Sequence, residues 1–589
     1  MKRASPSSSR GRPRKALLPA PYKLGAPRHF TEYRERQDEV ILRVADSKAR
    51  FVVVVAPTGF GKTLFSFVLA KLEADRAAML TATRGLQDQL SGEYAEAGLV
   101  DVRGAGNYVC DFEKFEPEAA KRLRHFDADG NNDELLRREP SSAEQAFRKS
   151  MGWGPRVPKA RTCDDAPCHS GSLCSGKGSG CRYFDAVRAA QRSEIFSTNY
   201  SYWMASHAYS GGLGKLQLML ADEAHEIPEE LSRHLRVELS RRQLDRCNRQ
   251  SATPSPRDRM STWAEWAFEV LGKLAIPSPD DAARWQALSR EVRDIGRSLH
   301  RLREVGRASD WVVERSERGL VFEPIWPAPY AEDALWLRTP KIVLTSATVR
   351  ERTLELVGVP KGKFEFIELP SVFDPDRRPV YIIPGPRLSA RSSGKDLRDA
   401  VRVTDAILGA RADRKSIVHT VSYERAKMLA AMSRCGSRMI VYDTRSKAKA
   451  VAEYKAARPS SGAVLVGPAL EAGYDFPGDE CRCQIIFKLG FPDSRGAVMA
   501  ARQKSSRWYG LYLTMMDLVQ AVGRACRAKA DWCENFITDG QAAWFVAGNK
   551  SFAPRAFQEA IRWRKRRATV DEVIADLPKP MPLTGPRAV

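Results

Sequence analysis

Phe51-Val52-Val53-Val54-Val55-Ala56-Pro57-Thr58-Gly59-Phe60-Gly61-Lys62-Thr63 decides the fold class. The five-residue run Phe51 to Val55 is wholly apolar and mostly β-branched, which predicts a strand buried on both faces, as in a parallel sheet. Ala56 to Thr63 fits the Walker A pattern with Ala at its first glycine position. The spacing has a chemical reason. Gly59 and Gly61 let the backbone curl so that its N–H groups and the next helix N-terminus, preceded by Thr58, face phosphates. Lys62 reaches the β and γ oxygens, and Thr63 offers a hydroxyl to Mg2+.

Working outward, the amphipathic stretch Tyr33 to Val44 predicts a helix before that strand. Further short apolar runs at Ala77 to Ala82, Leu216 to Leu220 and Lys341 to Leu344 extend the sheet. A second set at Ser416 to His419, Arg438 to Val441, Ala463 to Val466 and Gln484 to Phe487 predicts a second α/β domain. The expected division is a basic arm (1–28), a first α/β domain in three parts (29–106, 183–228 and 313–350), and a second α/β domain (351–555). Insertions fill 107–182 and 229–312, and a C-terminal tail covers 556–589.

With 589 residues, 43% of them hydrophobic, several cores are required. Lys and Arg number 95 against 72 acids, a net charge of +23, which favours a polyanionic partner. No apolar run approaches the roughly 18 residues that span a bilayer, and no secretory signal is apparent. The expectation is therefore a chain of the reducing cytoplasm, in which the 11 cysteines need a role other than disulfides. In the arm, Arg10-Gly11-Arg12-Pro13-Arg14-Lys15 resembles an AT-hook for A·T-rich duplex, with a generic basic tail as the alternative.

Asp222-Glu223-Ala224-His225 follows the strand at Leu216 to Leu220 as a DEAH form of Walker B. Asp222 is placed to hold Mg2+ through water and Glu223 to polarise the attacking water. Gln520-Ala521-Val522-Gly523-Arg524-Ala525-Cys526-Arg527 matches helicase motif VI, Q-x-x-G-R-x-x-R. On one helix, Gln520, Gly523, Arg524 and Arg527 would share a face, aiming both arginines at a transferring phosphoryl group.

With these motifs in place the chain resembles the superfamily 2 helicases of the XPD and DinG type. Thr345-Ser346-Ala347-Thr348 is motif III, and Gly473-Tyr474-Asp475-Phe476-Pro477-Gly478 resembles motif V. Thr83-Arg84 matches the motif Ia region, and His419-Thr420-Val421-Ser422-Tyr423 resembles motif IV. The matches run in family order from about residue 33 to 528. The resemblance implies two RecA-like parallel-sheet motors, with an iron-sulfur domain and a short helical arch inserted in the first. It implies that Arg34 and Gln37 contact adenine, that Gly473 and Asp475 belong to the ATP and Mg2+ site, and that His225, Ser346 and Thr348 couple hydrolysis to movement.

Cys110, Cys168, Cys174 and Cys181 are the implied ligands of a 4Fe-4S cluster. A zinc site that recruits Cys163 or His169 is the alternative, because the donors are the same. Thr83, Arg84 and Ser422 match strand-backbone contacts. Tyr200, Tyr202 and Trp203 are candidates for base stacking, with core packing as the other reading. The implied activity is ATP-driven translocation along single-stranded DNA, 5' to 3', parting forked DNA as a monomer without a membrane. Two alternatives are an ATPase that remodels nucleic-acid complexes without processive unwinding, and a DNA-binding scaffold with an ATP switch.

Overall fold

The computed structural model describes residues 17–57, 59–110, 162–163, 180–209, 212–274, 282–305, 310–371, 373–389, 391–468, 474, 476–526 and 531–586. The first domain supplies β1 (Phe51–Val55), β2 (Ala77–Thr81), β3 (Val100–Asp101), β4 (Ile195–Asn199) and β5 (Leu218–Ala221). An insertion follows with β6 (Val237–Ser240), β7 (Trp311–Ser316) and β8 (Gly319–Pro324). The chain then returns with β9 (Lys341–Ser346) and β10 (Phe364–Glu368).

The first sheet has the order β10-β1-β9-β5-β2-β4-β3. Its neighbours all run parallel. Alternation along β1 explains its unbroken apolar run. Phe51, Val53 and Val55 enter one core while Val52 and Val54 enter the core on the opposite face.

The second domain holds β11 (Val380–Ile382), β12 (Ser416–His419), β13 (Met439–Val441), β14 (Val464–Gly467), β15 (Cys483–Ile486), β16 (Glu534–Ile537) and β17 (Ile561–Trp563). Their order is β13-β14-β12-β15-β16-β11-β17, again parallel throughout. Two RecA-like parallel sheets are thus present. In the first, β1, β5 and β9 end together, the place where open parallel sheets bind ligands.

Several expected boundaries move. Residue 350 does not end the first motor domain, because β10 pairs with β1 in register Phe51↔Phe364 to Val55↔Glu368. The insertion is not helical alone, nor does it stop at 312. Beside helices Met260–Lys273 and Ala282–Val305 it carries an antiparallel sheet, β6-β8-β7, that reaches Pro324.

Residues 556–586 pack onto the second domain. β17 extends the second sheet, and carbonyls of Pro578 and Met581 accept from Arg411 Nη2 at 3.0 Å and Arg414 Nη1 at 2.8 Å. The basic arm also shortens. Leu18, Leu24 and Ala26 pack on the first core, and Leu17 N donates to Asp38 Oδ2 at 2.8 Å. A few apolar residues inside a Pro-rich, basic composition were enough to order these segments. The AT-hook-like residues lie outside the described residues.

Candidate functional site

The phosphate loop leaves β1 with Ala56 N donating to Ser346 O at 3.0 Å, so it lies against the end of β9. Gly59 and Gly61 have φ of 87° and 81°, a region open to glycine at little cost. Gly61 is also crowded, since a Cβ there would stand 2.8 Å from Gln37 Nε2. It caps helix Lys62–Glu73, whose first turn presents free N–H groups.

Arg34 Nη1 donates to Gly59 O at 2.5 Å, and Gln37 Nε2 donates to Phe60 O at 3.1 Å and Gly61 O at 2.9 Å. Arg34 lines the cleft, whereas Gln37 is fully buried. Gln37 positions the loop here, with both amide protons committed to loop carbonyls. Thr58 lies outside the described residues.

Opposite the loop, Asp222 and Glu223 follow β5. Asp222 Oδ1 accepts from Glu223 N and from Thr345 Oγ1, each at 2.9 Å. Glu223 has φ 48°, a left-handed conformation that a glutamate holds only under constraint. Lys62 Nζ lies 2.7 Å from Glu223 Oε1 and 3.9 Å from Asp222 Oδ1. Burial works to raise the pKa of Glu223, but Lys62, His225 and Arg524 outweigh it and hold the carboxyl at about 2. For Asp222, burial wins over Lys62 and the pKa is raised.

His225 joins both walls of the cleft. Its Nδ1 lies 2.8 Å from Ser346 Oγ, and its Nε2 meets the Gln520 amide nitrogen of the second domain. Two carboxylates also flank the ring, with Glu226 Oε1 3.2 Å from Nε2 and Glu223 Oε2 3.4 Å from Nδ1. Ser346 Oγ in turn accepts from Thr348 N at 3.0 Å. On the second domain, Arg524 Nη2 donates to Gln520 Oε1 at 3.3 Å.

Motif VI does not lie on one helix face. The helix Trp508–Val522 ends with Gly523 as C-cap, and Arg524 reaches the cleft from the following turn, its carbonyl accepting from Phe476 N at 3.2 Å. Arg527, Gly473 and Asp475 lie outside the described residues. The cleft between the walls measures about 820 Å³ and is lined by Arg34, Gly59, Lys62, Thr63, Asp222, Glu223, Gln520 and Arg524 among others. Sequence reading missed Thr345 as a partner of Asp222, Arg378 in the cleft wall, and the Arg502–Glu323 contact between insertion and second domain. Thr345 opens motif III, so its place beside the cleft was within reach of the sequence, whereas Arg378 and Arg502 belong to no motif.

Away from the cleft, the stacking expectation is corrected for two of three aromatics. Tyr200 is fully buried with its hydroxyl donating to Asp222 O at 2.6 Å, and buried Trp203 donates Nε1 to Leu335 O at 2.9 Å. Tyr200 braces Walker B from behind, and both rings belong to the first core. Tyr202 is half-buried and its hydroxyl lies 3.0 Å from that of Tyr183. Thr83 and Ser422 are helix N-caps, accepting from Leu86 N and Arg425 N, and Thr83 and Arg84 are exposed.

Cys110 and Cys181 pack with Cys163 in one small cluster. An isolated bridge, Val109↔Thr162, and Cys163 N donating to Tyr108 O at 2.8 Å hold the segment there. Burial, then Cys181 and Cys110, push the Cys163 thiol up to about 12. Cys168 and Cys174 lie outside the described residues. Among the described residues no three His, Cys, Asp or Glu side chains are arranged to hold a metal ion.

Two parallel-sheet domains with a phosphate loop and a DEAH segment on one wall, and Gln520 and Arg524 on the other, define a helicase-type nucleic-acid motor. Residues 410–550 match the helicase C-terminal domain family. An XPD helicase structure aligns over 90% of this chain and 100% of its own, with a TM-score of 0.53 and 13% identity. Xpd4 of S. tokodaii aligns over the same shares at 0.53 and 15%. A further XPD structure covers 88% of this chain and 98% of its own at 0.51 and 14%. No curated protein is similar to the chain in sequence. The chain thus shares its fold with the XPD helicase structures, and its second domain matches the helicase C-terminal domain family.

Proposed function

We propose that the chain is an ATP-dependent DNA helicase that translocates 5' to 3' on single-stranded DNA and parts the duplex ahead of it. The observation that carries this reading is the side-chain chain Ser346–His225–Gln520–Arg524, which ties the hydrolytic wall of one domain to the arginine wall of the other. Chemistry at Glu223 then cannot change without a signal to the second sheet.

In the mechanism, Lys62 and the loop N–H groups bind the polyphosphate, and Glu223 orients the water for in-line attack. Asp222 has one oxygen engaged by Thr345 and by Glu223 N. Its other oxygen, with the Thr63 hydroxyl, would hold Mg2+, which would supply charge neutralisation for the polyphosphate. Arg524, oriented by Gln520, meets charge developing on the transferring group, with Arg527 assigned the same task by resemblance. Exposed Thr83 and Arg84, with half-buried Ser422, supply donors for a strand backbone, contacts that do not depend on base identity.

The cysteine segment is read as the family's iron-sulfur domain, with Cys110, Cys168, Cys174 and Cys181 as ligands. What supports it is the packing of Cys110 and Cys181 together and the affinity of thiolates for an iron core. No step of hydrolysis passes through it. Iron and acid-labile sulfide in protein purified without oxygen would support this part; stoichiometric zinc instead would replace it with a zinc site.

The test of the whole reading is strand displacement on forks carrying only a 5' or only a 3' tail, with Glu223→Gln as control. Unwinding from the 5' tail, lost in Glu223→Gln, is expected. Unwinding only from the 3' tail removes the polarity, and ATPase without displacement favours a remodelling translocase.

A further inference from the structure

The crossover between the motor domains runs from β10, which lies beside the phosphate-loop strand, to β11 in the second sheet. Its end is clamped to the second domain. Arg377 O accepts from Cys533 N at 2.9 Å, and Pro379 O accepts from Asn535 N at 3.0 Å. Between these clamps stands Arg378, whose side chain lines the same cleft as Gly59, Lys62, Glu223 and Arg524.

Arg378 differs from the other cations of that cleft. Lys62 pairs with Glu223, Arg34 with the Gly59 carbonyl, and Arg524 with Gln520. The Nε and Nη2 of Arg378 are buried and have no hydrogen-bond partner. Burial lowers its pKa, while Cys526, Glu559 and Asp374 counter this only through space. Desolvated N–H groups on a cation are costly to leave unmatched, and a guanidinium fork suits the oxygens of a phosphate. A stabilising role in the fold would show partners that these two nitrogens lack.

We propose that Arg378 is a further cationic contact to the polyphosphate of the bound nucleotide, delivered from the domain crossover in addition to the motif VI arginine. This rests on the nucleoside-triphosphate reading given above. Because Arg378 is clamped to the second sheet while the phosphate loop belongs to the first, the contact spans the cleft. It therefore favours the closed form when the nucleotide carries a γ-phosphate.

The test compares the full chain with Arg378→Met, Arg378→Lys and Lys62→Ala by titration with MgATP and MgADP, together with thermal melting without nucleotide. Arg378→Met is expected to weaken MgATP binding about ten- to hundred-fold, the loss of one hydrogen bond from a charged group, with a smaller loss for MgADP. Arg378→Lys should recover part of it. Melting without nucleotide should be unchanged or higher, since an unmatched buried cation has been removed. Arg378→Gln supplies the same readout should the Met variant not fold. Affinity within twofold of the parent overturns the proposal, as does a lower melting temperature with unaltered affinity. If the parent binds no MgATP, the nucleotide reading fails and this inference with it. If the parent binds and Lys62→Ala does not, while Arg378→Met equals the parent, only the Arg378 assignment fails.

Discussion

Arg502 offers the sharpest test of how the insertion and the second motor domain are joined. It lies in helix Ala497–Ser505, yet apart from Tyr509 its side-chain partners come from the insertion and its flanks. Its Nη2 lies 3.2 Å from Glu323 Oε1 and donates to Ser232 Oγ at 3.1 Å and Pro324 O at 3.3 Å, and Nη1 donates to Tyr509 OH at 3.2 Å. The Arg502 and Glu323 side chains are only 6% and 5% exposed, which makes this a buried pair and not a screened surface contact. Breaking a buried pair costs roughly 3–5 kcal/mol. Arg236 still reaches Glu323 at 2.7 Å from the other side, so the lower end applies, about 3 kcal/mol for Arg502→Met.

The assay is urea unfolding of parent, Arg502→Met, Glu323→Gln and the double variant. A coupling of about 2 kcal/mol is expected for two groups that share one network. A loss below about 1 kcal/mol for Arg502→Met, with coupling near zero, would refute the buried-pair account. A second contact points the same way: Glu314 Oε2 in β7 accepts from Ala497 N at 2.9 Å at the start of that helix.

Three further outcomes follow from particular residues. Gly61→Ala places a methyl against Gln37 Nε2 at a φ of 81°, so MgATP affinity should fall at least tenfold by titration, and unaltered affinity would contradict the tight loop. His234 is held neutral, its pKa lowered to about 4 by burial and then by Arg301. Its folded pKa lies below the unfolded value of about 6.5, so its contribution is full above about pH 6.5 and lost as pH falls toward 4. Melting followed between those pH values should show a flatter acid loss in His234→Phe than in the parent; equal slopes would dismiss the effect. Truncation after Ala575 strips Arg411 and Arg414 of the Pro578 and Met581 carbonyls and should cost about 2 kcal/mol in urea unfolding, whereas a loose tail would cost nothing.

The parts of this molecule legible in the sequence are those where one short segment carries both structure and chemistry. Phe51 to Val55 could only be a strand buried on both faces, and the glycines after it needed the positive φ they adopt. His225, Ser346 and Gln520 were each assigned by motif, and the fold brings them into one chain of hydrogen bonds. What stayed hidden depends on pairing between distant residues. Nothing in Phe364 to Glu368 says that this strand returns to β1 and not onward to the second sheet, and nothing in Arg378 or Arg502 marks a partner. Tyr200 and Trp203 stood open between stacking and core because aromatic clusters suit both, and burial against Asp222 and Leu335 decides for the core. Motif VI misled through its helical spacing, which Gly523 interrupts.

The central claim is that one cleft couples nucleotide hydrolysis to a strand held across both sheets. Steady-state ATPase with and without single-stranded DNA, on the parent and on Gln520→Ala, tests it most directly. The account predicts strong stimulation by DNA in the parent, lost in Gln520→Ala while MgATP binding persists. ATPase indifferent to single-stranded DNA, or stimulation that survives Gln520→Ala unchanged, would contradict it.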